Sequence, residues 1–279
     1  MSQQALESPH VSSSTEVRRR TRSFPLSRIL GYVVPPLVAL AFLGLAWELT
    51  VRAGHIKVYI LPAPSVVLQR LFSDLGFFAY HAWITFYEAV LGFAIGSLVA
   101  LALAAAMAHS LAVERSLYPL ALLVKVTPVV VIAPLLVIWL GFGMAPKVLV
   151  AAYIAFFPVL VNAITGFRTV NPRAMDFLRS VNASQWEVFV ALRLPSATPY
   201  LFSAFRVALP LALIGAVVGE WFSAEKGLGS VVFVAIHNLD MPTIFAAIIS
   251  LALTGIVLNT LLLVIERRLL FWHESANVR

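Results

Sequence analysis

The sequence predicts an all-α integral membrane protein with six transmembrane helices and a two-helix cytoplasmic loop, and three observations carry that prediction. Of 279 residues, 61% are hydrophobic and 12% charged, with a mean hydropathy of +0.92; a soluble domain has about 25% charged and roughly 45–50% apolar residues. Six apolar runs, at 30–51, 84–107, 117–140, 147–167, 200–222 and 244–265, approach the ~20 residues that cross about 30 Å of hydrocarbon as a helix. Lys and Arg divide unevenly between alternate connecting segments, 13 on one side and 5 on the other, which places both termini in the cytoplasm. An unpaired strand edge in lipid would leave backbone groups without partners, so every span is predicted helical.

The elements follow in chain order. Residues 1–28 are rich in Ser, Gln and Arg and too poor in apolar side chains to order themselves, so they are expected to form a disordered cytoplasmic tail. Residues 29–272 form the membrane domain and 273–279 a short cytoplasmic tail. The first run is longer than a signal-peptide core and ends in Trp47-Glu48-Leu49 without a small-residue cleavage site, which predicts an uncleaved span. Long outer connections fall at 53–83 and 223–243. The third and fourth spans are joined only by Gly141 to Pro146 and form a hairpin. Gly92 with Gly96, and Gly215 with Gly219, put small residues one turn apart and permit close helix approach, within one subunit or between two. Pro128, Pro134, Pro158 and Pro210 lie inside spans, where proline kinks a helix or frees a carbonyl.

Charged residues near spans are costly in lipid and face protein or water. Glu48, Glu88 and Glu220 fall toward the outer ends, Lys125 and Arg206 toward the cytoplasmic side. Glu220, which follows the small-residue stretch from Gly215 to Gly219, and Lys125 are candidates for lining an aqueous pathway; the other reading is structural pairing or snorkelling. Several function classes have no motif. The chain has no cysteine, and it lacks a P-loop, a His-Glu-x-x-His and a Gly-x-Ser-x-Gly. The net charge of +7 sits beside apolar runs, as membrane topology requires, and does not form a nucleic-acid patch.

The segment 168–199 reads as two short helices. Asn171 caps the first, with Pro172 at its first position, and Ala174, Phe177, Leu178 and Val181 share a face. Asn182 stops it in a left-handed conformation. Ser184 and Glu187 form a capping box for the second helix, which carries Val188, Phe189 and Leu192 to a stop at Pro195, and Thr198-Pro199 starts the next span. Leaving Phe177, Leu178, Trp186 and Phe189 in water is unfavourable unless something covers them. A partner protein or the chain's own helix bundle are the two covers available.

This loop resembles the cytoplasmic coupling motif of ATP-binding-cassette importer permeases: Glu-Ala-Ala, three residues, Gly, nine residues, then Ile-x-Leu-Pro. Asp176-Phe177-Leu178 stand at the Glu-Ala-Ala positions, Asn182 at the Gly, and Leu192, Leu194 and Pro195 at the Ile-x-Leu-Pro. The bulkier Phe-Leu pair implies a bulkier coupling helix and a partner groove shaped for it. Further stretches resemble the nitrate/sulfonate/taurine group of these permeases: Leu61 to Ser65, Lys125 to Pro128 with Pro134 to Gly143, Glu220 with Lys226 to Gly229, and Glu266 to Trp272.

The resemblance implies a type I ABC importer permease fold in the bacterial inner membrane. It implies a second permease copy, a homodimer in preference to a paralogue, enclosing a pathway for a small polar or anionic solute. An extracytoplasmic solute-binding protein would deliver that solute. Separate ATPase subunits would hold ATP and Mg, with no cofactor on this chain. The alternatives are the same machinery importing a pyrimidine or other vitamin precursor, and an ion-gradient-driven secondary transporter.

Overall fold

The computed structural model describes residues 26–223 and 225–269, with side chains from Val34 onward. The expected tails lie outside these residues, except that 26–28 already belong to the first helix. Among the described residues the secondary structure is helical throughout. Five helices are long and apolar enough to cross a membrane, or six if a bent pair counts as one span.

Residues 1–47 and 48–279 form two separate units. The first holds most of α1 (Leu26–Ala53). Its Leu37, Val38, Leu40, Phe42 and Leu43 are all exposed, which suits a helix solvated by lipid or by another chain. The second unit contains α2 (Pro64–Ser73), α3 (Leu75–His109), α4 (Leu111–Val126), α5 (Val129–Leu140), α6 (Met144–Arg168), α7 (Pro172–Ser180), α8 (Gln185–Val188), α9 (Leu194–Ser223), α10 (Leu228–His237) and α11 (Met241–Leu269). At its start Glu48 accepts from the Ser65 N–H at 3.0 Å, the Ser65 hydroxyl at 2.8 Å and Arg52 Nε at 2.6 Å, so it caps the first turn of α2.

The centre of the second unit is α6, packed between α3 and α9. Lipid is as apolar as leucine, so helices associate there by close packing and not by escape from water. The residues at the contact are accordingly small: Ala151, Ala155, Ala163, Ala204, Ala208 and Ala212 are fully buried. Both glycine pairs serve this packing. A Cβ at Gly92 would overlap that of Ala151, and one at Gly215 would lie 2.7 Å from the Ala151 Cα. Ala151 is thus gripped from both sides, and the pairs join helices within one subunit.

The structure differs from expectation in three places. α3 begins at Leu75, nine residues early, because Asp74 caps it through the Phe77 N–H at 3.3 Å. The run 117–140 is not one helix: α4 and α5 meet at 96°. Thr127, forced out of the helical region by the following proline, has ψ 125°. The other span prolines, Pro134, Pro158 and Pro210, lie inside continuous helices. Finally, α2 and α10 occupy connections expected to be loops.

Candidate functional site

Local hydrogen bonds build the loop at 168–199 as its sequence predicts. The Asn171 side chain accepts from the Arg173 N–H at 2.9 Å, with Pro172 at the first helical position, where its missing N–H costs nothing. At the other end Asn182 has φ 53°. Its N–H donates to the Arg179 carbonyl at 3.0 Å, and the Ala183 N–H donates to that of Leu178 at 3.0 Å; this is a complete Schellman stop. Ser184 and Glu187 exchange reciprocal bonds, at 3.2 and 2.7 Å.

These caps give a specific expectation. Asn182→Gly should leave the loop as stable as before, since glycine is at home at positive φ. Asn182→Ala should loosen it by about 1 kcal/mol, seen as several-fold faster proteolysis between α7 and α8 in isolated membranes.

The expected stop at Pro195 is not there. A five-residue π-helical segment, Phe189–Arg193, carries the chain straight into α9. Proline lacks the N–H that would bond four residues back and its ring crowds that carbonyl. The widened turn just before it gives the room, as π segments do inside longer helices. Leu192 is half-buried in this segment, and Leu194 and Pro195 lie exposed in the first turn of α9.

The loop is covered in part by its own bundle. Val188 is buried, and Phe189 packs between Phe167, His109 and Trp186 at ring separations of 5.2, 5.5 and 6.0 Å. Leu178 is half-buried. Phe177, Val181 and Trp186 are not covered, with 65%, 57% and 72% of their surface free. Asp176 is exposed beside Arg179 at 3.8 Å, a surface pair that contributes close to nothing to stability. The outcome is an apolar surface with an acid at its edge, held on a well-capped frame.

Two arginines that sequence reasoning counted only as topology signals tie this frame to the bundle. Arg168, at the end of α6, pairs with Glu114 through both nitrogens and donates to the Met107 carbonyl at 3.3 Å. Arg193 donates to the Ala108 carbonyl at 3.0 Å. Both carbonyls belong to the last turn of α3, where helical partners run out and a cation is favoured. Any displacement of the loop therefore pulls on α3 as well as on α6 and α9.

The opposite end of the same three helices holds a buried polar cluster. Lys147 and Glu88, 2% exposed each, pair at 3.2 Å, and the ammonium also donates to the Lys226 carbonyl at 3.0 Å. Lys147, at the start of the fourth apolar run, lies in the first turn of α6. Glu220 is wholly buried. Its carboxylate accepts from the Thr85 hydroxyl at 2.7 Å and from the Gly229 N–H, while Leu228 N–H donates to Thr85 at 2.8 Å and Gly227 N–H to His81 at 3.0 Å. The Gly227, Leu228 and Gly229 N–H groups that open α10 thus find acceptors on α3 or α9. A Cβ at Gly227 or Gly229 would strike Glu220, which explains the two glycines after Lys226. Glu220 latches α10 to the bundle from inside the protein. Arg206 is likewise paired, with Glu266 at 2.6 and 2.9 Å.

Lys125 is placed differently. Its side chain is exposed on α4, its ammonium lies 4.7 Å from the Phe157 ring centroid, and it lines a cavity beside the break between α4 and α5.

Comparison with known proteins agrees with this architecture. The family described as "Binding-protein-dependent transport system inner membrane component" matches residues 92–271. The chain is similar to the riboflavin transport system permease protein RibX of Chloroflexus aurantiacus, with 34% identity over 94% of this chain and 97% of that protein. It is 31% identical to the formylaminopyrimidine transport permease protein ThiX of Halalkalibacterium halodurans, over 86% and 96% of the two chains. It is 28% identical to the taurine transport system permease protein TauC of Escherichia coli, over 92% and 94%. With its membrane-crossing helices and a family match covering most of its length, the chain belongs to the inner membrane components of binding-protein-dependent transport systems, the permease subunits of ABC importers.

Proposed function

We propose that this permease forms, together with a second copy of itself, the pathway for a small polar or anionic solute of the nitrate, sulfonate or taurine kind. ATP binding and hydrolysis, with Mg, fall to separate ATPase subunits, and an extracytoplasmic binding protein delivers the solute to the connections at 53–83 and 223–243. Both termini face the cytoplasm, so that the 168–199 loop meets the ATPase. One observation carries the coupling role: Phe177, Val181 and Trp186 remain exposed on a frame whose every cap is satisfied and whose ends grip α3. An apolar helix face of this kind fits a groove in a partner. Asp176, Leu178, Asn182, Leu192, Leu194 and Pro195 shape and support that face.

The test is co-purification from membranes. Phe177→Asp puts a charge into the contact and should weaken ATPase association by about 2 kcal/mol or more, roughly 30-fold, while the permease still inserts. Undiminished ATPase recovery with this variant would remove the loop from its assigned role. A second reading for the solute, a pyrimidine or other vitamin precursor, is favoured by the 34% and 31% identity to proteins named for riboflavin and formylaminopyrimidine transport.

A further inference from the structure

The 96° break between α4 and α5 borders a cavity of about 400 Å³. Tyr153 fixes its depth. This residue lies about nine residues into the 25-residue α6, ~14 Å along a helix of ~38 Å, and its hydroxyl reaches the Thr127 carbonyl at 3.1 Å and that of Val124. The break therefore sits near the middle of the bundle, where an exposed lysine cannot face lipid without large cost.

A broken helix offers a ligand both a negative and a positive end: carbonyls from the first half and N–H groups from the second. Here the two are treated unequally. The Tyr153 hydroxyl engages the carbonyls that end α4. Among the described residues no side chain caps the first N–H groups of α5, since Pro128 at the N-cap has none that can accept them; Val131 N–H turns back to the Pro128 carbonyl at 3.0 Å, which leaves those of Val129 and Val130 uncapped. The Lys125 ammonium adds a full positive charge on the same side and has no ion pair among the described residues. Its contact with the Phe157 ring compensates that charge only in part. The remaining wall is apolar, with Val126, Ile154, Phe157 and Leu211.

We infer that this cavity binds a small organic anion, with Lys125 as counter-ion to the anionic head and Ile154, Phe157 and Leu211 against the carbon skeleton. The inference rests on the permease reading and narrows its solute: an organic sulfonate or carboxylate satisfies Lys125, whereas a neutral ring compound leaves it unpaired.

The chain contains no cysteine, so a single Thr127→Cys on the cavity wall can be read cleanly in the full-length protein in its membrane. The probes are the anionic sulfonatoethyl methanethiosulfonate and the cationic trimethylammonioethyl methanethiosulfonate, each rate divided by that reagent's rate with a free thiol. The normalised rate of the anionic reagent should exceed that of the cationic one by about tenfold, the scale of one nearby charge in a partly screened site. Lys125→Gln should abolish the preference and Lys125→Arg should keep it. Comparing two reagents on one sample cancels any loss of folded protein. Equal normalised rates, a preference that survives Lys125→Gln, or no labelling by either reagent would each overturn the site. None of these outcomes bears on ATPase coupling, which Phe177→Asp tests separately.

Discussion

Replacing Lys147 with methionine is expected to destabilise the permease by about 3–5 kcal/mol, the usual cost of leaving one member of a buried ion pair alone. Methionine keeps the length and much of the volume of lysine, so the loss is electrostatic. Glu88 would then be left at 2% exposure without the ammonium 3.2 Å away, and the Lys226 carbonyl would lose its donor. The damage should spread to α10, because Lys226 opens the turn whose Gly227, Leu228 and Gly229 N–H groups dock on His81, Thr85 and Glu220. Adding Glu88→Gln should recover a large part of the loss, since removing both charges removes the penalty as well as the attraction. Denaturation by increasing SDS fraction, followed by tryptophan fluorescence, measures both variants. A single variant within 1 kcal/mol of the parent would mean that the pair is not formed in the membrane.

Such a pair was beyond sequence reasoning for a physical reason. Glu88 and Lys147 lie on helices far apart in the chain, and nothing local connects them. The available signal was weaker: a glutamate inside an apolar run needs a partner, and Lys147 follows Pro146 at a point where a helix can begin. Hydropathy found the spans because each is a sum over some twenty residues. That same averaging hid the α4–α5 break, since a window records apolarity and not direction. Thr127-Pro128 carried the missing information, as residues before proline avoid the helical region.

The loop at 168–199 was the most legible part of the site. Asn171, Asn182, Ser184 and Glu187 all bond to backbone within a few residues, so their spacing is their structure. Pro195 misled because a lone proline signals a stop, and the π segment before it is a tertiary accommodation without a pattern of its own. Arg168 and Arg193 had the right address for topology, but the α3 carbonyls they hold became visible only once the helices were assembled. Lys125 and Glu220 were both read from the sequence as candidates for lining a pathway. Packing separates them, one without an ion pair among the described residues, beside a cavity, and the other enclosed as a latch.

Gly215→Leu is expected to be at least as damaging as loss of Lys147, for a different reason. Over-packing a core ordinarily costs about 1–3 kcal/mol because neighbouring side chains shift. At Gly215 the obstacle is main chain: a Cβ would stand 2.7 Å from the Ala151 Cα and 3.0 Å from the Val150 carbonyl oxygen. Relief requires α6 and α9 to separate, and α6 cannot retreat toward α3, since Gly92 and Gly96 already receive Ala151 and Ala152 from that side. The variant should therefore fail to accumulate in the membrane or elute as aggregate, and Gly215→Ala should be intermediate. Gly76→Ala, at a position with nothing within 4 Å of the added carbon, should be neutral or gain up to ~1 kcal/mol in helix propensity. Size-exclusion profiles of the solubilised protein distinguish this account from the dimer-contact alternative. If Gly215 packs between copies instead, Gly215→Leu would yield a well-folded monomer of normal thermal stability, and the internal role of the motif would be wrong.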